Sequence, residues 1–228
     1  MRKTKIVCTL GPASDTKEVI SRLCKAGMNV ARLNFSHNTH ADHKKKIDIV
    51  KEVREELGLP VAIMLDTKGP EYRIKTFENG KIMLSDGDKF VFTTEDVVGN
   101  EKMVSVSYPG LTQELSAGDK ILLNNGLLTF EVENIEGNNI NCTVLCGGEL
   151  SDRKSMSFPG KVMKQKYLSE QDKQDILFGV QNDVDYIACS FVSGKQDLID
   201  VHNYLKEIGV DNIELIAKIE NQSGFDNI

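Results

Sequence analysis

The chain has 228 residues, 40% of them hydrophobic and 27% charged, with a formal net charge of -6 at pH 7. This is ordinary globular composition, and the length admits one large or two modest domains. The acidic balance excludes general nucleic-acid binding, which needs a basic surface, but leaves room for a small anion held at a local basic site.

The first predicted element is a β-rich run over Thr4–Leu10, ended by Gly11-Pro12. No signal-like apolar stretch precedes it and no run is long enough to span a membrane. Cys8 and Cys189 lie in apolar runs that suit reduced, buried thiols, so a reducing cytoplasm is the expected setting. Asp15 or Ser14 is expected to cap a helix running to Gly27, with Val19, Ile20 and Leu23 on its apolar face. Met28–Phe35 reads as a second strand. Thr39–Leu57 reads as an amphipathic helix, with Ile47, Val50 and Val53 at helical spacing and Gly58 past its end. Val61–Leu65 is a continuous apolar strand, completing the βαβαβ order of a parallel sheet or barrel.

The texture changes after Gly69-Pro70. Short runs over 80–92, 103–106, 120–123, 127–132 and 140–145 alternate with turns at Asp86-Gly87-Asp88, Asn124-Asn125-Gly126 and Glu136–Asn139. They predict an all-β insertion over 71–160, a small barrel or sandwich. Cys142 and Cys146 read as ordinary strand cysteines, because no second ligand pair accompanies them to make a zinc site. The α/β rhythm then returns: a helix capped by Ser169 and Asp172, a strand over 184–191, a helix over 195–208 and a strand over 213–219. The expected fold is α/β, about five strand units of an eight-stranded barrel, with the insertion after the third. Residues 1–70 would be its first part and 161–228 its continuation. An open five-stranded sheet is the alternative, with two edges to protect.

Three of the strand runs end in polar or charged groups. Arg32, Asn34 and Ser36 alternate and can face one side; an arginine suits a phosphate, and Asn and Ser oxygens suit a hard cation. Asp66-Thr67 repeats the pattern, and Lys68-Gly69-Pro70-Glu71 turns the chain away. Lys218 and Glu220, two apart, face one site together. Lys218 could meet a phosphate, form a Schiff base or be solvated; Glu220 could bind magnesium or pair with a cation. Singly, each has a structural reading as a strand-end group. Together they point to an anion-and-metal site at the carboxyl ends of parallel strands. His37, His40 and His43 recur every third residue and read as a solvated helix start rather than a zinc site, and Lys44-Lys45-Lys46 as a solvated helix face. No P-loop sequence occurs.

Four segments resemble the pyruvate kinase family: Thr4–Ser14 its opening strand, Gly27–His37 its second, Leu65–Glu71 its third, and Lys218-Ile219-Glu220-Asn221 its catalytic lysine segment. The resemblance runs from Lys3 to Ile228. It implies a (β/α)8 barrel carrying a mobile β lid, and phosphoryl transfer from phosphoenolpyruvate to ADP with protonation of enolpyruvate, giving pyruvate and ATP in glycolysis. It further implies that Arg32 binds the substrate phosphate and that Lys218 stabilises charge on the transferring group and the enolate. Glu220 would hold Mg2+. Asn34, Ser36, Asp66 and Thr67 would hold K+, Thr67 through its carbonyl. Asn34, His37, Arg73 and Lys154 would contact ADP or ATP. Glu71, where other members have lysine, implies potassium dependence.

Departures accompany the resemblance. Asn124-Asn125-Gly126 stands where the family has Asp-Asp-Gly in the lid, and Arg153–Gly160 matches the lid exit loosely. A second magnesium carboxylate, a substrate-contacting threonine and the C-terminal domain with its effector site and oligomer interface are expected beyond Ile228. The chain alone is therefore expected to be poorly active and aggregation-prone, and homo-oligomerisation is expected of the full-length family. Two other readings stand beside this one. The first is an inactive truncated remnant that binds a full-length relative or its ligands. The second is a lyase or aldolase using Lys218 as a Schiff base, for which the potassium motifs have no use.

Overall fold

The computed structural model describes residues 3–228; Met1-Arg2, at the start of the 1–70 segment, lies outside the described residues. The elements run β1 (Val7–Thr9), α1 (Lys17–Ala26), β2 (Val30–Asn34), α2 (His40–Leu57) and β3 (Ala62–Asp66). They continue with β4 (Tyr72–Arg73), β5 (Lys81–Leu84), β6 (Lys89–Thr93), β7 (Met103–Ser105), the single turn α3 (Leu111–Glu114), β8 (Lys120–Leu123), β9 (Leu128–Glu136), β10 (Asn139–Cys146), β11 (Gly148–Ser151) and β12 (Ser155–Ser157). Then follow α4 (Glu170–Gln181), β13 (Tyr186–Cys189), α5 (Lys195–Glu207), β14 (Glu214–Ala217) and α6 (Gln222–Asp226). The chain forms two units. One runs to Pro70 and resumes over Lys166–Glu220 and Asn227–Ile228; the other comprises Glu71–Gln165 and Asn221–Asp226.

In the first unit five parallel strands lie in the order β1-β2-β3-β13-β14, with a helix between most successive strands. Spatial order following chain order, with helical crossovers, is the winding of a (β/α)8 barrel, here in its first five strands. Register sets the strand ends level: Thr9 lies beside Arg32, Asn34 beside Asp66, Asp66 beside Ala188, and Cys189 beside Ala217. Leu33, Ile63, Leu65 and Ile187 from the strands pack with Ile20 and Ile47 from the helices, all fully buried. Ile47, Val50 and Val53 all face this core, as their spacing predicts.

Helix starts follow local chemistry. Thr39 with Asp42 and Ser169 with Asp172 form reciprocal capping boxes. The cap of α1 is Thr16, not Ser14 or Asp15. Ser14 is occupied instead in closing the Gly11–Ser14 turn, where its hydroxyl accepts from Gly11 N at 3.0 Å. Two surface expectations are corrected. His43 is 1% exposed and Lys46 5%, so neither belongs to a solvated face. Each precedes a residue of the apolar stripe of α2 by one or four positions, and the His43 ring stacks on Phe35.

The second unit is all-β apart from the helical turns α3 and α6. A seven-stranded sheet runs β4-β12-β8-β9-β10-β6-β7, and β11 pairs with β5 in a two-stranded sheet. Phe90, Phe92 and Phe130 are fully buried at its centre, with ring centroids 5.0–5.9 Å apart. The β8–β9 hairpin turns through Asn124, Asn125 and Gly126 at φ 51°, 58° and 84°. Asn tolerates this left-handed region better than most residues, which accounts for the pair locally. The strands β4, β11 and β12, two to four residues long, fall below the length at which alternation is readable. Among the described residues no helix is long and apolar enough to cross a membrane.

Candidate active site

The carboxyl ends of the five parallel strands carry one connected polar network. Asp66, the last residue of β3, is 1% exposed. Its Oδ2 receives Arg32 Nε at 2.5 Å and also pairs with the other arm of the same guanidinium. Its Oδ1 receives Lys218 Nζ at 2.8 Å. A carboxylate so buried is costly unless paired, and here two cations pair with it. Arg32 also donates to Thr9 Oγ1 at 2.7 Å, so β1, β2, β3 and the end of β14 are tied together by side chains.

Ser190, which sequence reasoning did not single out, is the hub of this network. Lys218 Nζ donates to its hydroxyl at 2.7 Å, and that hydroxyl lies 2.6 Å from the Thr67 carbonyl and 3.0 Å from Asp66 Oδ1. A hydroxyl has one proton, so it serves the two oxygens one at a time, the closer Thr67 carbonyl first. The Ser190 carbonyl accepts from Tyr167 Oη at 2.7 Å, and Gly69 packs so close that a Cβ there would sit 2.6 Å from that oxygen. Gly69 N in turn donates to buried Asp172 at 3.1 Å. The signal in the sequence was the same as elsewhere: Tyr186–Cys189 is an apolar run followed by the polar Ser190.

Phe191 follows with φ 56°, an outlier for a bulky side chain. Its N–H donates to Glu220 Oε2 at 3.0 Å, and Glu220 Oε1 lies 3.4 Å from Lys218 Nζ. Lys218 and Glu220 therefore meet as their spacing predicts, although both lie just beyond β14. Arg32, Lys218, Asp66 and Glu220 sum to zero formal charge, with the two cations and Glu220 partly exposed and Asp66 sealed beneath. The three partly exposed groups carry a net charge of +1, which can attract a small anion.

The remaining predicted residues fall in two places. Asn34 is opposite Asp66 in register, and its Oδ1 accepts from Ser36 N at 3.0 Å, so Asn34, Ser36, Asp66 and Thr67 gather at adjoining strand ends. Their donor set is all oxygen with one carboxylate, the chemistry of a weakly charged hard cation such as K+. Mg2+ needs few protein carboxylates when substrate oxygens and water complete its shell, and Glu220 offers one. Among the described residues no group of three or more His, Cys, Asp or Glu is placed to hold a metal by itself. His37 is exposed on the loop after β2. Arg73 and Lys154 belong to the second unit. There Arg73 is clamped by Glu71, at 2.7 Å from its Nε, and donates to the Arg153 carbonyl at 2.6 Å. The Lys154 carbonyl accepts from Ile74 N at 3.0 Å.

Comparison with known proteins gives one family. The sequence profile described as pyruvate kinase, barrel domain, matches residues 1–228. A pyruvate kinase of Staphylococcus haemolyticus (strain JCSC1435) is 44% identical over 230 residues, and one of Geobacillus stearothermophilus is 44% identical over 229; each alignment covers 100% of this chain and 39% of the relative. A pyruvate kinase of Clostridium perfringens (strain 13 / Type A) is 41% identical over 229 residues, covering 100% of this chain and 48% of the relative. The chain thus spans 39% to 48% of the length of these curated relatives.

Proposed function

Since this chain belongs to the pyruvate kinase family, we propose that its strand-end network is the phosphoenolpyruvate half of a phosphotransfer site. The reading is that of a glycolytic transferase of the cytoplasm, working in a homo-oligomer of longer chains. The observation that carries it is the joint hold of Arg32 and Lys218 on buried Asp66, which fixes two cations side by side at the strand ends. In the reaction, an ADP oxygen forms a bond to the phosphorus of phosphoenolpyruvate, the bridging P–O bond breaks, and the enolate that leaves takes up a proton at carbon to become pyruvate.

Phosphoryl transfer needs positioning and charge neutralisation more than covalent help from the protein. Arg32 supplies a planar fork for the phosphate oxygens, with Thr9 and Asp66 fixing its orientation. Lys218, steadied by Ser190 and Asp66, sets a point charge where negative charge develops on the phosphoryl group and the enolate. Glu220, whose Oε2 accepts from the Phe191 N–H, would hold Mg2+, which would supply charge neutralisation for the transferring phosphoryl group. Asn34, Ser36, Asp66 and the Thr67 carbonyl would hold K+, which would supply a fixed positive charge to the site. Asn34 and His37 are the nucleotide contacts proposed on the first unit; Arg73 and Lys154 are separate nucleotide candidates on the second. Glu71 in place of a lysine leaves that positive charge to be provided by the ion, so turnover should require potassium.

The test is ligand-induced stabilisation of the 228-residue chain. Phosphoenolpyruvate with K+ and Mg2+ should raise the melting temperature, less so in Na+, and Arg32→Met should abolish the shift. No shift in the unmodified chain would overturn the proposed site. Substantial pyruvate formation from phosphoenolpyruvate and ADP by the 228-residue chain would count against the remnant reading and against the expectation that the chain alone is poorly active.

A further inference from the structure

The loop between β2 and α2, residues 35–39, holds Ser36 and His37; its amides are fixed at Phe35 by the Asp66 carbonyl, at Ser36 by Asn34 Oδ1 and at Thr39 by Asp42 Oδ2, which leaves the His37–Asn38 tip the least held. Asn38 sits at φ 70°, and the His37 N–H reaches the Asn34 carbonyl only at 3.3 Å. Two histidines from the first turns of α2 enclose it. His40 Nε2 meets buried Asp175 of α4 at 2.6 Å, and its ring stacks on Phe178 with centroids 4.4 Å apart. His43, one turn later, stacks on Phe35 at 4.0 Å with the rings 12° from parallel. His43 Nε2 lies 2.9 Å from the His37 carbonyl oxygen.

That last contact settles the tautomer. A carbonyl oxygen only accepts, so Nε2 carries the proton, and Nδ1 keeps its lone pair. Nδ1 is buried and meets no donor. A buried ring with one nitrogen unmet by any protein donor is a costlier filling than an apolar side chain of the same size. What the imidazole offers here that phenylalanine or leucine would not is the single bond to His37.

We propose that His43 is a positioning residue: through the His37 carbonyl it fixes the 35–39 loop so that His37 stands where it can share a nucleotide with Asn34. The ligand part of this inference rests on the proposed function, with an adenosine diphosphate as the nucleotide; the loop part does not.

The experiment is amide hydrogen exchange on the full 228-residue chain and two variants. His43→Phe keeps the stack and removes the donor. His43→Gln keeps a side-chain N–H near the Nε2 position. Exchange at residues 36–39 should rise about tenfold in His43→Phe, the scale of losing one hydrogen bond, and return toward the original rate in His43→Gln. The amides of β2 and the middle of α2 should not change. An unchanged loop, or a rise spread evenly over β2 and α2, overturns the proposal. Should His43→Phe fail to fold, ring nitrogen resonances of the unmodified chain decide it: an Nε2-protonated neutral ring supports the inference, and an Nδ1-protonated ring overturns it. Where ADP binds the unmodified chain, His43→Phe should weaken ADP more than phosphoenolpyruvate. Absence of any ADP binding to the unmodified chain counts against the proposed function, and the exchange result still decides the role of His43.

Discussion

The two units handle charge in opposite ways. In the parallel sheet, five strands run the same way, so their polar last residues and the residues just beyond them collect at one end: Thr9, Arg32, Asp66, Ser190 and Lys218 are hydrogen-bonded into one network. In the β unit, hairpins alternate direction, and the polar residues scatter. Three of its ion pairs, Lys75–Asp96, Lys81–Glu149 and Lys89–Glu133, are separate and exposed, and the less exposed Arg73–Glu71 and Lys161–Asp119 share no residue with them. Exposed pairs contribute little to stability. The β unit is held instead by apolar alternation around its three buried phenylalanines. Parallel winding is what allows charge to be concentrated and buried at one place, and the cost of burying it ties the site's integrity to the unit's stability.

Two substitutions should separate these regimes, and they carry the largest effects. Asp66→Ala leaves Arg32 and Lys218 without their shared partner, and the loss should be about 3–5 kcal/mol, the cost of breaking a buried ion pair. Phe130→Ala should cost about as much, roughly 3–5 kcal/mol, through a cavity beside Phe90 and Phe92. The difference lies in where each is felt. The chain has no tryptophan, so urea unfolding should be followed by resolved amide resonances from each unit. Asp66→Ala is expected to soften the parallel sheet and erase phosphoenolpyruvate binding; Phe130→Ala is expected to loosen the β unit only. An Asp66→Ala chain as stable as the original would break the comparison at its root.

A smaller effect probes the packing under the site. Gly69 has φ +63°, and an added Cβ would meet the Ser190 carbonyl at 2.6 Å. That oxygen is pinned by Tyr167, so the strain has little room to relax. Gly69→Ala should cost about 1–3 kcal/mol and displace Ser190, raising the phosphoenolpyruvate dissociation constant while the β unit keeps its stability. Unaltered binding in a destabilised chain would mean that Ser190 does not steady Lys218.

What the sequence revealed and what it hid divide along local and long-range physics. The capping box at Ser169 was readable because its partner Asp172 lies three residues on. Strand ends were readable because apolar runs stop at polar groups, and this located Arg32, Asp66, Lys218 and Glu220 individually. Ser190 was hidden because its role depends on β13 lying beside β3, a fact of strand order. The left-handed Phe191 has no sequence signal at all, since nothing in its composition favours φ 56°. The buried His43 and Lys46 were misread because a helix's polar residues reveal which face is covered only once a neighbour is known. In the β unit, Asn124-Asn125-Gly126 was readable as a turn, while the two-residue β4 was not.

The smallest expected effect is a pH dependence confined to one unit. Burial holds the His43 imidazole below its ordinary value of 6.5; the nearby charges of Lys46 and His40 push the same way, and the His37 carbonyl bond and Asp175 oppose. The unfolded chain therefore binds a proton at this ring more readily than the folded chain. Stability from the neutral ring is fully present above pH 6.5 and is lost as the pH falls below it, with a slope of at most one proton, about 1.4 kcal/mol per pH unit. Asp42, held below 3.8 by the Thr39 cap, is lost in a separate and lower window. All four histidines, at 37, 40, 43 and 202, belong to the first unit. Urea unfolding at pH 7.0 and again about one unit below 6.5 should lower the midpoint for the parallel sheet and leave that of the β unit in place. His43→Phe should flatten the part of this dependence that comes from His43. If the β unit softens equally, or the substitution leaves the slope intact, the buried neutral ring is not what titrates.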